Sequence, residues 1–336
     1  MGRMTKLKFI TSLPQLPRKQ SLIIYDQRLR PYLKTWLLSY PNTYAVRAGE
    51  GLKDVNSFPE HLRKILALTK GVGPTKLTVV ALGGGSVGDF AGFVASVLKR
   101  GVPLVHIPST WLAAIDSSHG GKTALNVNGI KNQIGTFYPA EKIYLVKSLL
   151  LAQPQARSQE AIGEALKMAL LAGGPLWRAL RNTQKPSSKM LWSLLPKLIR
   201  EKYKIVKRDP FEKKGYRHLL NLGHTVGHVF EAELGLPHGI AVLHGLRFAI
   251  DWSFHYGLMS KDVHRKLIGV LPEIGQSLQS LRSAKSYLAQ DKKMLADAKL
   301  RFVFLRTPGR PQIRTVTVKE VLSEMSRQKR KSVERL

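Results

Sequence analysis

His224 and His228 stand four residues apart in the stretch RHLLNLGHTVGHVFEAELGLPHGIAVLHG (217–245), which has helical spacing, so both imidazoles project from one face. His238 follows a proline and precedes a glycine, a setting for the mouth of a second helix. Three imidazoles able to converge among small residues point to a divalent metal site, which a carboxylate from elsewhere would complete. Packing or surface display is the other use of helical histidines. The motifs that accompany these three weigh against it.

The elements that must position them belong to a chain of 336 residues, long enough for a good core and for two domains. No apolar run is long enough for a transmembrane helix, and MGRMTKLKFITSLPQLPRKQ lacks the apolar segment of a secretory signal. With no cysteine, disulfides and thiolate ligands are excluded, leaving histidine and carboxylate for any metal; this is compatible with a cytoplasmic protein. The net charge of +32 would draw the chain toward anions of any kind. Its basic residues are spread throughout, with one dense cluster at Arg327, Lys329, Arg330, Lys331 and Arg335. Without a nucleic-acid-binding motif, that dispersal reads as a solvated surface, and neither nucleic acid nor membrane is the expected partner.

SLIIYD (21–26), the start of TYAVRAGEGLKD (43–54), the run 77–82 and PLVHIP (103–108) read as short strands. The segments 58–70 and 89–100 read as helices. This alternation predicts an α/β, Rossmann-like N-terminal domain over residues 1–153 with a parallel sheet. From residue 154 to 336 helical periods dominate (160–171, 176–183, 188–207, 219–234, 241–255), with a strand-like run at 300–305 and a basic helix or tail at the end. That half is expected to be mostly α-helical.

Within the first half, Gly83, Gly84 and Gly85 follow a buried strand and precede a helix. Such a turn lets backbone approach a pyrophosphate at a helix N-terminus, although the GxGxxG spacing is absent and a plain tight turn is the alternative. Asp89, four residues beyond, would lie toward the nicotinamide or ribose end of a dinucleotide. The stretch 109–132, STWLAAIDSSHGGKTALNVNGIKN, has neither helical nor strand period and combines Asp116, paired glycines, Lys122, Lys131 and Asn132. Cations on a glycine-rich loop suit phosphate or carboxylate recognition. Glu164 and Lys167 lie at i,i+3 on one helix face, as a surface ion pair also would.

Taken in order, GGGSVGDFAGFVAS, RGVPLVHIPST, DSSHGGKTALN with KNQIGTFYP, GEALK, DPFEKKGYRHLLNLGHTVGH and LPHGIAV resemble the 3-dehydroquinate synthase family of sugar-phosphate cyclases over residues 26–293. The resemblance implies that Glu164, His224 and His238 bind zinc (or cobalt), and that His228 contacts the substrate phosphate instead. It implies NAD at Glu50, Lys53, Gly83, Gly84, Gly85 and Asp89, with Asp26 and Thr110 as weaker candidates. Substrate positions are Asp116, Lys122, Lys131, Asn132, Lys167, Lys202, Arg217, Asn221 and one of the pair Lys292–Lys293. Arg100 matches an arginine that the family inserts from the neighbouring subunit, which implies a homodimer. The implied substrate is a seven-carbon sugar acid with a carboxylate and a phosphate. The implied chemistry is oxidation by NAD of a hydroxyl polarised by the metal, phosphate elimination, return of hydride, ring opening and aldol closure.

Three positions depart from the family pattern: Ile240 stands where a glutamate is common, and Val146-Lys147 where Asp-Thr is usual. The first would loosen support of His238, the pair would reshape the adenosine end of the NAD site. His244 has no family role and reads as packing or surface rather than an added ligand. Rival readings are a cyclase for sedoheptulose 7-phosphate or an amino- or deoxy-sugar phosphate, a metal-dependent alcohol or glycerol dehydrogenase, and a non-catalytic basic binding homologue. The match of Arg217, Asn221 and His228 to the dehydroquinate synthase pattern counts against the first rival.

Overall fold

The computed structural model describes residues 5–183, 186–272, 278, 280–289, 294–295 and 299–333. The chain divides into two compact units, Met1–Arg157 and Ser158–Leu336.

Continuous apolar runs in the first unit form strands because both faces of their sheet are covered. Strands β1 (Lys6–Ile10), β2 (Ser21–Asp26), β3 (Thr43–Val46), β4 (Thr78–Gly83) and β5 (Leu104–Pro108) precede a small antiparallel hairpin, β6 (Leu125–Val127) with β7 (Ile130–Ile134), and then β8 (Lys142–Val146). Six of them pair in the order β1-β8-β5-β4-β2-β3, every pairing parallel. Every residue of β2 is buried, and Ile23, Val80, Leu82, Ile107 and Val146 meet in the core. Helices α1 (Arg30–Leu37), α2 (Phe58–Leu68) and α3 (Gly85–Val97) follow β2, β3 and β4, and α4 (Lys147–Leu151) follows β8. The parallel α/β architecture expected of this half is therefore present.

Strand β1 escaped the sequence reading because it is an edge strand, KLKFI, whose lysines interrupt the apolar pattern. Helix α3 begins at Gly85 rather than at Asp89, so the glycine turn is itself the helix entry. The stretch expected to lack regular structure carries a wide helical turn, Ala113–Ser117, and the β6–β7 hairpin.

His106 on β5 is buried against α3, where Gly88 leaves room: a Cβ there would sit 3.3 Å from the imidazole Cε1. Burial pushes its pKa down from 6.5 to about 4, so the neutral ring is the form the fold accepts. The folded value lies below the unfolded one. Its contribution is complete above the unfolded pKa and is lost as pH falls from about 6.5 toward 4, a change of roughly 3 kcal/mol. Denaturant titrations across that range should therefore show a steeper loss of stability in the parent than in His106→Asn. Equal slopes would contradict the assignment.

The second unit is built on α5 (Gln155–Ala172, which starts just before the unit boundary), α6 (Gly174–Leu180), α7 (Ser188–Arg208), α8 (His224–Leu234), α9 (His238–His255) and α10 (Lys261–Ile268). The single helix expected over 219–234 is broken. A 3₁₀ segment, Tyr216–Asn221, ends at Leu222, and Gly223 adopts a left-handed φ of 80° before α8 starts at His224. A three-stranded antiparallel sheet follows, with β10 (Lys299–Leu305) between β9 (Met294–Leu295) and β11 (Pro311–Thr317). Phe302 and Phe304 of β10 pack on Trp252 of α9. Strand β11, with Arg314 among its apolar residues, was not anticipated. The basic terminus forms a helix, Val318–Val333, in which Arg327 pairs with buried Glu324; Arg335 lies outside the described residues. Among the described residues no helix is long and apolar enough to cross a membrane.

Candidate active site

Two close helix approaches assemble the metal-ligating residues of the second unit. Helices α5 and α9 touch backbone to backbone: a Cβ on Gly163 would lie 2.0 Å from the Gly239 carbonyl oxygen, and one on Gly239 would lie 1.4 Å from that of Glu160. The residues next to these glycines are Glu164 and His238. Helices α8 and α9 approach as closely, since a Cβ on Gly245 would lie 1.7 Å from the Gly223 carbonyl oxygen. That contact sets His224, the first residue of α8, near His238, the first residue of α9.

Glu164 Oε1 lies 3.2 Å from Nε2 of His224 and 3.2 Å from Nε2 of His238. A tetrahedral ion with bonds of about 2.0–2.1 Å spaces its donors about 3.3 Å apart, so the observed separations suit one shared ion. Proton positions support the same conclusion. Nδ1 of His224 lies 3.3 Å from the Leu222 carbonyl, which can only accept, so Nδ1 carries the proton. Its Nε2 then turns a lone pair toward a carboxylate oxygen, an opposition that a cation resolves. Burial, with help from Lys167, holds His224 down at about 4, so the ring stays neutral. Burial opposes ionisation of Glu164, yet the Lys167 ammonium beside it outweighs that and keeps the carboxyl well below the usual range. The residues present thus fit a divalent ion held by two nitrogens and one oxygen.

Around this centre, the Lys167 ammonium meets Glu164 Oε2, with both side chains almost fully buried. His228 is exposed one turn along α8, its ring 5.4 Å from that of His224 and 6.2 Å from that of His238. The donor atoms that group with Glu164 are those of His224 and His238, whereas His228 groups with Glu231 and His238. Glu231, which sequence reasoning missed, places Oε2 2.8 Å from His238 Nδ1. The available signal was its spacing, seven residues after His224 and three after His228. Burial lowers the pKa of His238, but hydrogen bonds to Glu164 and Glu231 prevail and raise it to about 10, so an ion bound at Nε2 would displace the proton facing Glu164 and leave the one facing Glu231. Lys202 and Arg217 are buried in the same unit, and Arg217 donates from Nη1 to the Pro210 carbonyl at 2.7 Å. Asn221 Nδ2 lies 3.3 Å from His218 Nδ1. His244 is buried edge-on to Phe230, as packing requires. Lys292 and Lys293 lie outside the described residues.

A second constellation lies in the first unit. Gly83–Gly85 close β4 and open α3, with Thr110 and Ser117 packed against Gly84 and Gly85 so that a Cβ would meet them at 3.2 and 3.1 Å. Buried Lys53 bonds Asp89 at 2.8 Å, donates to Asn132 and lies 3.7 Å from Glu50. Burial pushes the Asp89 carboxyl up, while Lys53 opposes. Asn126, also missed, ties the group together by donating to Glu50 at 2.8 Å and accepting from the Asn132 amide at 2.8 Å. Asp116 sits on the helical turn at 113–117, close enough to Asp89 to raise its pKa. Lys122 and Lys131 are exposed near and on the hairpin. Asp26 ends β2 level with the start of the glycine turn, since Tyr25 pairs with Leu82, and its carboxylate is held by Arg28 at 2.7 Å. Arg100 is exposed at the end of the 3₁₀ turn Leu98–Arg100 that follows α3, and it and Lys99 have left-handed φ values of 69° and 51°.

This fold is that of the sugar-phosphate cyclases. The 2-epi-5-epi-valiolone synthase ValA from Streptomyces hygroscopicus, solved with NAD+ and Zn2+ bound, superposes with a TM-score of 0.84 over 100% of this chain and 98% of its own, at 21% identity. The chain belongs to the 3-dehydroquinate synthase family, whose N-terminal model matches residues 43–160 and whose C-terminal model matches residues 161–294. The 3-dehydroquinate synthase of Leptospira interrogans is 34% identical over 91% of this chain and 85% of its own length. The bifunctional shikimate kinase/3-dehydroquinate synthase of Thermotoga maritima is 34% identical over 74% of this chain, which spans 51% of that longer protein.

Proposed function

We propose that the chain is a 3-dehydroquinate synthase, converting 3-deoxy-D-arabino-heptulosonate 7-phosphate to 3-dehydroquinate and phosphate. The observation that carries this reading is the Glu164–His224–His238 donor set, with donor spacings suited to a single ion, in a chain of that family. When bound, NAD supplies a reversible hydride acceptor and the divalent ion, zinc or cobalt, supplies Lewis acidity.

The chain's own residues do the rest. Glu164, His224 and His238 would hold the ion. Lys167 neutralises the carboxylate of Glu164 and keeps it ionised where burial alone would protonate it. Lys167, Lys202, Arg217, Asn221 and His228 of the second unit, with Asp116, Lys122, Lys131, Asn132 and Lys292, are assigned to the substrate. Their cations suit a ligand with a carboxylate at one end and a phosphate at the other. The Gly83–Gly85 turn is assigned to the dinucleotide pyrophosphate, and Glu50, Lys53, Asp89 and Thr110 to the rest of NAD. Asp26 is assigned to the same cofactor, a role that requires its pairing with Arg28 to rearrange. Exposed Arg100 is assigned to a partner copy in a cytoplasmic homodimer.

The reading is tested by product analysis with the heptulosonate phosphate, NAD and zinc. Release of phosphate with formation of the carbocyclic 3-dehydroquinate is the expected result. Turnover of sedoheptulose 7-phosphate in its place would make the chain a different cyclase.

A further inference from the structure

We infer that Glu231 is a positioning residue of the metal centre, fixing the tautomer and orientation of His238 so that Nε2 faces the ion. The inference rests on the proposed metal role of Glu164, His224 and His238 and deepens it.

The two imidazoles are held differently. Nδ1 of His224 faces a neutral backbone carbonyl at 3.3 Å, a long contact, whereas Nδ1 of His238 faces a carboxylate oxygen at 2.8 Å, the length of a charge-assisted hydrogen bond. A carboxylate accepts and never donates when ionised, so the proton of a neutral His238 ring is drawn to Nδ1 and the lone pair is left on Nε2. An anionic acceptor behind the ring also makes Nε2 the more electron-rich donor. Glu231 cannot serve as a ligand at the same ion, because its contact is to the ring nitrogen on the side away from Glu164.

The fold explains why this residue is needed. His238 opens α9 after a Gly235–Pro237 connection, and its N-cap Pro237 makes no side-chain cap bond. Its side chain is 31% exposed, against 11% for His224, so packing constrains it less. Glu231 lies in the closing turns of α8, whose first residue is His224. One helix therefore supplies one ligand and orients the other across the turn. The support that Ile240 does not provide is supplied from α8.

The test is zinc affinity, measured on the full chain by competition with a chromophoric chelator, with the visible spectrum of the cobalt-loaded protein as a second readout. Glu231→Ala should bind zinc about 10–100-fold more weakly and shift the cobalt bands. Glu231→Gln, whose amide oxygen accepts the same Nδ1 proton, should recover affinity to within about fivefold and keep the parent's bands. If the alanine variant does not fold, Glu231→Asp decides the matter: it keeps the charge but withdraws it by one methylene, and about tenfold weaker binding is expected. Parent-like affinity in the alanine or aspartate variant, or a glutamine variant as weak as alanine, overturns the inference while leaving the metal centre standing. Failure of the parent to bind zinc overturns the metal centre, and this inference with it.

Discussion

His238→Ala is expected to lose both its metal and its turnover. The substitution removes one of the two imidazoles whose Nε2 atoms lie 3.2 Å from Glu164 Oε1, leaving a carboxylate already engaged by Lys167 and a single nitrogen. An ion of this kind stabilises developing charge by several kcal/mol, so its loss should slow phosphate release by about a thousandfold or more. The fold should tolerate the change, since His238 is partly exposed at a helix start and Glu164 keeps its lysine. Metal content after dialysis, read beside the rate of phosphate release, checks both halves of this expectation. A dialysed, metal-free variant that turns over near the parent's rate would remove the ion from the reaction.

Gly239→Ala should be nearly as severe, although glycine carries no chemistry. The added Cβ would lie 1.4 Å from the Glu160 carbonyl oxygen, and neither atom belongs to a side chain that can swing away. Helices α5 and α9 must separate, which separates Glu164 from His238. Forcing an atom into a filled core costs about 1–3 kcal/mol where side chains can adjust, and backbone contact places this site at or above the upper end. Chemical denaturation should show that loss, and zinc uptake should fall more than stability alone explains. Gly73→Ala is the control, because nothing lies within 4 Å of a Cβ there and its change should stay within about 0.5 kcal/mol. Parent-like stability and zinc uptake in Gly239→Ala would mean that the close approach does not hold the ligands.

Much of the plan was readable from residue order alone. Buried parallel strands are continuous apolar runs, so β2, β4 and β5 declared themselves, and the glycines after β4 marked the turn into α3. Elements escaped where solvent or charge interrupts that signal, as in the lysine-bearing edge strand β1 and in β11 with Arg314. The break before α8 depends on the left-handed φ of Gly223, and a single glycine inside a helical period does not announce its conformation.

The site was legible to a similar depth. Histidine spacing pointed to a metal, but i,i+4 geometry alone favoured His228 as a ligand. Only tertiary placement brings Glu164, sixty residues earlier in the chain than His224, to both Nε2 atoms. Glu231 and Asn126 were missed for the same reason. A glutamate on a helix and an asparagine in a hairpin have no pattern of their own until their partners His238, Glu50 and Asn132 are placed beside them.

The measurement that tests the central claim most directly is the number of phosphates released from the heptulosonate phosphate per molecule of NAD supplied, with NADH followed in the same reaction. A cyclase that takes a hydride and returns it releases many phosphates per NAD and accumulates no NADH. NADH accumulating in step with substrate consumed would mark a dehydrogenase, and no phosphate release from the zinc- and NAD-loaded protein would contradict the account altogether.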